Sequence, residues 1–98
     1  MTDVHTWLLA FDVADDRRRD RLSRFLEGRG QRVQWSVFEI LETRAGIGRV
    51  LDEAIDPSRF DPAADSLRCY RVCAACLGDA DVRGLGAPPV AAGRPVVL

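Results

Sequence analysis

The chain has 98 residues, 47% of them apolar and 30% charged, and a formal net charge of −1 at pH 7. This length favours one hydrophobic core. We therefore expect a single domain over 1–98, with its core at about 5–85 and a linker and C-terminal strand at 86–98. No apolar run approaches the roughly 20 residues of a membrane span, and the first residues lack the basic region of a signal peptide. A cytoplasmic protein without membrane contact is expected.

The basic residues are unevenly distributed and of one kind. All 14 are arginine, and seven of them lie within sixteen residues: Arg17, Arg18, Arg19, Arg21, Arg24, Arg29 and Arg32. The planar guanidinium group can hold a phosphate through two parallel hydrogen bonds, which lysine cannot do. The cluster therefore indicates phosphate binding, or alternatively a solvated helix face.

The first predicted element is an apolar strand from His5 to Val13. Alternation places one set of side chains on one face (Trp7, Leu9, Phe11 and Val13) and a second set on the other (Thr6, Leu8, Ala10 and Asp12). Because both sets are mainly apolar, both faces must be covered. The helices of so short a chain are expected to cover one face, and a second copy of the chain the other.

Asp12 lies at the end of this strand, just before a loop. Open α/β sheets tend to bind ligands at the carboxyl ends of their strands. A charge at such a position is costly unless it is paired, solvated or bound to a cation. Asp12 is therefore the first candidate for a functional residue.

A helix is predicted from Asp16 to Glu27, with Asp15 as its N-cap and glycines ending it. Three apolar residues form its inner stripe: Leu22, Phe25 and Leu26. Arg17, Arg21 and Arg24 follow one flank at i, i+4, i+7 spacing, and Arg19 lies on the other flank. These arginines form either a phosphate-binding rim beside Asp12 or a solvated surface.

The rest of the chain alternates between extended and helical segments. The predicted segments are one bent strand or two short ones over 32–41, a helix over 43–55, a loop over 56–65, a strand over 66–73, a helical turn over 74–78, a weak edge strand over 80–85, a linker at 87–89 and an apolar strand over 94–98. The last strand is expected to join a sheet edge, plausibly that of a partner subunit. This order predicts an α+β sandwich of the ferredoxin-like kind.

The three cysteines are Cys69, Cys73 and Cys76, an odd number. The C-x-x-C formed by Cys73 and Cys76 has no second pair and no histidine nearby. A disulfide framework is not expected. In preference to a metal or redox role, we interpret these cysteines as small buried residues at a strand end.

Three segments, in this order and spacing, resemble the CRISPR-associated protein 2 family. They are the strand ending Leu9-Ala10-Phe11-Asp12-Val13 with the acidic pair and arginines after it, the run Arg32-Val33-Gln34-Trp35-Ser36-Val37-Phe38-Glu39, and the segment Leu67-Arg68-Cys69-Tyr70-Arg71-Val72-Cys73-Ala74-Ala75-Cys76. The second run is the most specific, and the resemblance covers about residues 5–77.

The resemblance implies a ferredoxin-like βαββαβ subunit with an additional C-terminal strand that joins the sheet of its partner in a two-fold dimer. It also implies a complex with CRISPR-associated protein 1, the integrase, and binding of duplex DNA during spacer acquisition. Several family members are described as endonucleases that hydrolyse RNA or DNA with magnesium, and manganese is an alternative ion. Metal-dependent hydrolysis is therefore an expectation for this chain.

The resemblance also assigns residues. Asp12 matches the aspartate that holds the metal and acts in catalysis. Arg19 and Arg21 match arginines early in the first helix, Arg32 matches the arginine that opens the second strand, and Phe38 matches the phenylalanine of the Ser-Val-Phe-Glu run. Arg17 joins this nucleic-acid-binding set through the cluster described above. Phe11 stands where many members carry tyrosine, so no tyrosine hydroxyl is available there.

The residues support three functions of different classes. In the first, Asp12 from each subunit shares a metal ion across the two-fold axis, because two close carboxylates repel unless a proton or a cation lies between them. In the second, arginine rows hold a nucleic-acid backbone without hydrolysis, and the dimer spaces the integrase subunits. In the third, the domain is a non-catalytic regulatory or protein-interaction module.

Overall fold

The computed structural model describes residues 3–85 in full and, beyond them, the backbone of 90–91 and 94–95. Its elements are β1 (Val4–Asp12), α1 (Asp16–Glu27), β2 (Gln31–Gln34), β3 (Val37–Thr43), α2 (Arg44–Ala54), β4 (Ser66–Val72), α3 (Ala74–Gly78), β5 (Val90–Ala91) and β6 (Arg94–Pro95). Among the described residues, no helix is long and apolar enough to cross a membrane.

Strands β1 to β4 form an antiparallel sheet in the order β2-β3-β1-β4. The central strand β1 pairs with β3, where Leu9 is opposite Phe38, and with β4, where Leu9 is opposite Cys69. This order, with α1 and α2 packed on the sheet, is the ferredoxin-like arrangement. The predicted α+β fold is confirmed.

The core lies between the two longer helices and one face of the sheet. The inner face of β1 supplies Trp7, Leu9 and Phe11, each at most 5% exposed. Their packing partners come from three other elements: Leu22 and Leu26 of α1, Phe38 and Ile40 of β3, and Ile47, Val50 and Ala54 of α2. The predicted alternation of β1 and the inner stripes of both helices account for this core.

Both longer helices begin at a side-chain cap, the first of them the predicted Asp15. The Asp15 carboxylate accepts a hydrogen bond of 3.0 Å from the backbone N–H of Arg18 and begins α1. The Thr43 hydroxyl accepts one of 2.9 Å from the N–H of Gly46 and begins α2. These bonds satisfy N–H groups that the helices leave unpaired at their first turns. Both helix starts therefore follow from local sequence.

The segment 32–41 is two strands rather than one bent strand. A turn at Trp35 and Ser36 separates β2 from β3, and the register shifts between Arg32 and Gln34. Gly30, just before β2, lies so close to β3 that a Cβ atom there would be 2.6 Å from Cγ1 of Ile40. A larger residue at position 30 would push β2 away from its partner.

Two sequence-based expectations near the C-terminus are wrong. Residues 80–83 have no regular structure and 84–85 form a bend, in place of the predicted edge strand. Gly84 has a φ of 77°, and Asp81 pairs with Arg83 at 2.9 Å, so this segment turns and satisfies its charges locally. Cys73 and Cys76, predicted to be buried, are exposed: Cys73 is the N-cap of the short helix α3, and Cys76 lies within its first turn.

Of the predicted C-terminal strand over 94–98, the structure describes residues 94–95. Arg94–Pro95 (β6) pairs with Val90–Ala91 (β5) of the same chain. The predicted linker at 87–89 lies outside the described residues. The exchange of a C-terminal strand with a partner stays a prediction.

The second face of the main sheet carries apolar side chains as well. Leu8 and Ala10 of β1, Val37 and Leu41 of β3 are half-buried on this face, and Tyr70 of β4 is exposed there. We call these five residues and Asp12 the open face, although the backbone of β5 lies close to β1 and β3, so the chain itself covers part of the sheet. The expectation that a second copy covers the open face stays a prediction.

Candidate active site at the end of strand β1

Asp12 is the last residue of β1 and lies at one corner of the open face. It is opposite Ser66 of β4, while on the other side the N–H of Phe11 donates to the carbonyl oxygen of Ser36 at 3.0 Å. Asp12 is exposed, and its side chain makes no hydrogen bond or ion pair within the described part of the chain. Solvation therefore satisfies its charge, and its carboxylate is available to a ligand.

The loop after Asp12 is held by a carboxylate that sequence reasoning missed. Asp65 lies in the segment before β4, and its side chain is fully buried. Arg18 donates to it through Nε at 2.9 Å and through its Nη2 nitrogen at 3.2 Å. The backbone N–H groups of Ala14 and Asp61 donate to it at 2.9 and 2.8 Å. One carboxylate therefore ties together the loop after β1, the first turn of α1 and the loop before β4.

These donors decide the protonation state of Asp65. The hydrogen bonds from the Arg18 guanidinium lower its pKa most, burial opposes them, and the N–H groups of Ala14 and Asp61 lower it further, to about 2. The ion pair also raises the pKa of Arg18. Both groups are therefore charged at neutral pH, and the pair is a fixed support behind Asp12. A loop aspartate four residues after another aspartate gave no signal of this role in the sequence.

Arg19 supports the same loop from the other flank of α1. Its Nε and Nη2 nitrogens donate to the carbonyl oxygen of Val13 at 3.3 and 3.2 Å, and its Nη1 nitrogen pairs with the exposed Asp16 at 2.8 Å. Arg19 is therefore directly behind the residue that follows Asp12. Its guanidinium thus has a structural role: all three of its nitrogens already bind groups of the protein.

The other two predicted arginines of α1 are more accessible. Arg17 is exposed, and its side chain forms no hydrogen bond or ion pair with the described residues. Arg21 is exposed and donates weakly, at 3.4 Å, to the carbonyl oxygen of Ser58. A phosphate can therefore reach both guanidinium groups without displacing a structural ion pair.

The structure separates Arg32 and Phe38 from Asp12. The two residues are opposite each other on β2 and β3 and share the face that packs against the helices. Phe38 is fully buried and stacks on Phe11, with ring centroids 6.1 Å apart. A ring without exposed surface cannot contact a ligand directly, so Phe38 acts here as a core residue.

The guanidinium of Arg32 already has protein partners on the helix-covered face. It pairs with Glu27 at 3.2 Å, and its guanidinium carbon is 5.3 Å from the ring centroids of both Trp35 and Phe38. Its Nε atom is buried without a hydrogen-bond partner. Arg32 therefore stabilises the β2–β3 hairpin and is not on the same face as Asp12.

Trp35 is the second residue that sequence reasoning left without a function. It occupies the turn between β2 and β3 and is 71% exposed. The bond from Phe11 to the neighbouring Ser36 holds this turn against the end of β1. A large aromatic side chain in a turn of otherwise small or polar residues was the available signal. The structure thus brings an exposed indole to the end of the sheet that carries Asp12.

The side chains around Asp12 determine whether one chain could bind a divalent metal ion. Within the described residues, no three His, Cys, Asp or Glu side chains come together as a potential metal site. Asp65, next in sequence to the register partner of Asp12, is already occupied by four donors. In the part of the chain that the structure describes, Asp12 therefore has no further carboxylate, histidine or cysteine pair with which to form a metal site.

Comparison with known proteins identifies the family. The family model for CRISPR-associated protein Cas2 matches residues 5–80. This chain belongs to the Cas2 family. A relative from Chloroflexus aurantiacus, named CRISPR-associated endoribonuclease Cas2, is 40% identical over 84 residues, which are 85% of this chain and 88% of the relative. A Synechocystis relative of the same name is 34% identical and covers 86% and 87% of the two chains.

Solved structures of Cas2 proteins share the fold. Cas2 of Streptococcus pyogenes matches with a TM-score of 0.68 and 25% identity, over 81% of this chain and 99% of that one. A chain of a partial Cas6-RT-Cas1–Cas2 complex matches with a TM-score of 0.65 and 30% identity, over 96% and 99%. The architecture described above is therefore the Cas2 architecture.

The buried carboxylate makes stability depend on pH in a defined window. Because the folded-state pKa of Asp65 is below the ordinary value of 3.8, its contribution is complete above that value and is lost as the pH falls towards 2. We expect Asp65→Asn to lower the free energy of unfolding at pH 7 by about 2–3 kcal/mol. The difference from the wild type should shrink as the pH falls from about 5 to 2.

Urea unfolding followed by circular dichroism at several pH values measures this difference. The matched control is Asp52→Asn, an exposed carboxylate of α2, which should leave the curve unchanged. Hydrogen bonds also lower the pKa of Asp15 and Asp56, so the Asp65→Asn variant should keep part of the acid sensitivity. An equal loss at all pH values would show that the charge of Asp65 does not contribute.

Proposed function

We propose that this Cas2-family chain acts in CRISPR spacer acquisition in the cytoplasm, as a two-fold dimer that binds nucleic acid and bridges subunits of the integrase, CRISPR-associated protein 1. We further propose that Asp12 is the centre of a metal-dependent endonuclease that hydrolyses RNA or DNA. The carrying observation is the exposed Asp12 carboxylate, which has no hydrogen bond or ion pair with the described residues and precedes a loop that a buried ion pair fixes, at the end of the sheet that also presents Trp35. The endoribonuclease names of the relatives and the Cas1–Cas2 complex support the proposal.

The open face supports the dimer. It presents apolar side chains from three neighbouring strands, and Asp12 lies at its corner. Pairing two such faces would remove the apolar surface from water, which favours association. A two-fold axis also brings each residue at the interface to its counterpart in the other copy. A second Asp12 is thus a natural source of the missing carboxylate.

Two Asp12 carboxylates would suit a magnesium ion, or a manganese ion in its place. Magnesium is held in proteins by one or two carboxylates and keeps several of its waters. Such an ion would lower the pKa of a bound water and stabilise negative charge on the phosphate. Asp12 would hold the ion. The Asp65–Arg18 pair and Arg19 fix the loop that follows Asp12.

The substrate would be held by residues around the end of β1. Arg17 and Arg21 can donate paired hydrogen bonds to phosphate oxygens, and this contact does not depend on base sequence. Trp35 offers an exposed ring on which an unpaired base can stack. An arrangement with one stacking surface and a cationic helix start favours a strand with accessible bases.

A second candidate function is nucleic-acid bridging without hydrolysis. The observation that favours it is the sparse donor set, since the described residues of one chain gather no metal site around Asp12. In this case the arginines would hold a duplex backbone and the dimer would set the distance between integrase subunits. The non-catalytic regulatory module considered from the sequence lacks such an observation, because the accessible arginines remain unexplained by it.

The variant Asp12→Asn distinguishes metal-dependent cleavage from bridging without hydrolysis. This variant keeps the size of the side chain but removes its charge, so metal-dependent cleavage of RNA or DNA should fall by about 100-fold or more. Dimerisation and duplex binding should change little, because the substitution leaves the apolar residues of the open face and the exposed Arg17 and Arg21 in place. The measurements are cleavage assays with magnesium and manganese, sedimentation, and spacer integration with the integrase partner.

Asp20→Asn, an exposed carboxylate of α1, is the matched control and should retain full activity. Full cleavage by Asp12→Asn would remove Asp12 from the mechanism. Normal integration by a variant that no longer cleaves would make bridging the primary function.

The accessible arginines should determine the salt dependence of binding. Each lost phosphate contact lowers the slope of log K against log salt by about 0.9 for duplex DNA. We therefore expect the double variant Arg17→Gln and Arg21→Gln to bind duplex DNA more weakly and with a shallower slope. Arg49→Gln, an exposed arginine of α2, serves as a control for charge loss alone. An unchanged slope in the double variant would show that these arginines are only solvated.

Trp35 should contribute to single-strand binding more than to duplex binding. Loss of one stacked base costs about 1–3 kcal/mol, so Trp35→Ala should weaken binding of a short single-stranded RNA by roughly 5- to 150-fold. Trp35→Phe keeps an aromatic ring and should retain most of the affinity. Fluorescence anisotropy with single-stranded and duplex probes measures both. Equal losses by the two variants would exclude stacking as the cause.

A further inference from the structure

Two cysteines lie close together at the start of α3, away from the candidate active site. Cys73 is the N-cap of this helix, and its Sγ accepts a hydrogen bond of 3.3 Å from the backbone N–H of Cys76. The two Sγ atoms are 3.0 Å apart, and both residues are exposed, whereas Cys69 is half-buried. Since a disulfide bond measures about 2.05 Å, the sulfurs need to approach by only about 1 Å to become linked.

The surroundings make the two thiols unequal. Hydrogen bonds from the thiol and the backbone N–H of Cys76 lower the pKa of Cys73, and the positive charge of Arg71 adds to this effect. The pKa of Cys76 is raised, mainly by the same contact with Cys73 and also by the negative charge of Asp79. Burial raises the pKa of Cys69. Of the three cysteines, Cys73 is therefore the one that most readily supplies a thiolate, the reactive form.

We propose that Cys73 and Cys76 form a reversible dithiol–disulfide site that reacts with low-molecular-weight disulfides. The Cys73 thiolate attacks one sulfur of the small disulfide, whose S–S bond breaks and releases one thiolate. The Cys76 sulfur, after losing its proton to solvent, then attacks the Cys73 sulfur and releases the second small thiolate. The protein loses two hydrogen atoms in total, and one small disulfide is reduced to two thiols.

The cysteine pair is remote from the proposed active site. It follows Val72, which is opposite Thr6, whereas Asp12 is opposite Ser66 at the other end of the same pair of strands. Six residues of strand separate these positions by about 20 Å. The site therefore does not depend on the proposed nuclease or bridging function, and its chemistry can be tested without nucleic acid.

The location indicates what oxidation would constrain. Cys73 and Cys76 fix the first turn of α3, and Leu77 after them is buried in the core. The chain then continues into residues 80–85, which line a cleft of about 380 Å³ with β2. A disulfide across the first turn would link this turn covalently, whereas in the reduced state the hydrogen bond from the N–H of Cys76 to the Cys73 sulfur holds it.

Oxidised glutathione tests the proposal on the full chain. At pH 7 it should remove two of the three free thiols, as counted by alkylation and mass spectrometry, and leave Cys69 reduced. The rate should not depend on protein concentration, because the bond forms within one chain. Reduced glutathione should restore both thiols. A product linked between two chains, or equal alkylation of all three cysteines, would overturn the proposal.

Single variants separate the two roles. Cys76→Ser should accumulate a stable mixed disulfide at Cys73, since the second thiol is missing, and Cys73→Ser should react several-fold more slowly than Cys76→Ser. Cys69→Ser is the matched control and should behave as the wild type. Stoichiometric binding of zinc ions by the reduced protein, with protection of both thiols from oxidised glutathione, would also overturn the redox assignment.

Discussion

The buried ion pair between Asp65 and Arg18 is the constraint on which the site depends. Asp65 belongs to the segment before β4 and Arg18 to the first turn of α1, 47 residues apart in sequence. Four donors surround the carboxylate, so its charge is compensated although its side chain has no contact with solvent. This pairing fixes the loop after β1, while the Asp12 side chain just before that loop is exposed and has no partner in the part of the chain that the structure describes.

The two faces of the sheet differ in what they carry: one packs against the helices, and the other carries the exposed Asp12. Alternation along β1 places Phe11 in the core and the adjacent Asp12 on the open face. Because residues opposite each other in a ladder share a face, Arg32 and Phe38 lie with Phe11 and not with Asp12. The predicted site residues therefore divide between the helix-covered face, which holds Arg32 and Phe38, and the open face, which holds Asp12.

Local patterns allowed most of the fold to be predicted, and long-range contacts account for what was missed. The alternation of β1, the apolar stripes of α1 and α2 and their caps are encoded within a few residues of each position, which is why these elements and the position of Asp12 at the end of β1 could be predicted. The function of Asp65 depends on Arg18 and Ala14, which no local pattern connects to it. The exposure of Cys73 and Cys76 depends on how α3 leaves the sheet, and the irregular segment 80–85 depends on the turn at Gly84.

The arginine cluster shows why residue type alone could not assign function. Arg18 holds a buried carboxylate with two nitrogens, and Arg19 holds a carbonyl oxygen with two nitrogens and Asp16 with a third. A lysine offers a single point charge and could not make either set of contacts. The guanidinium therefore makes structural contacts at these two positions, whereas Arg17 and Arg21 are exposed. Clustering in the sequence thus reflects two separate demands, one from the loop behind Asp12 and one from the surface beside it.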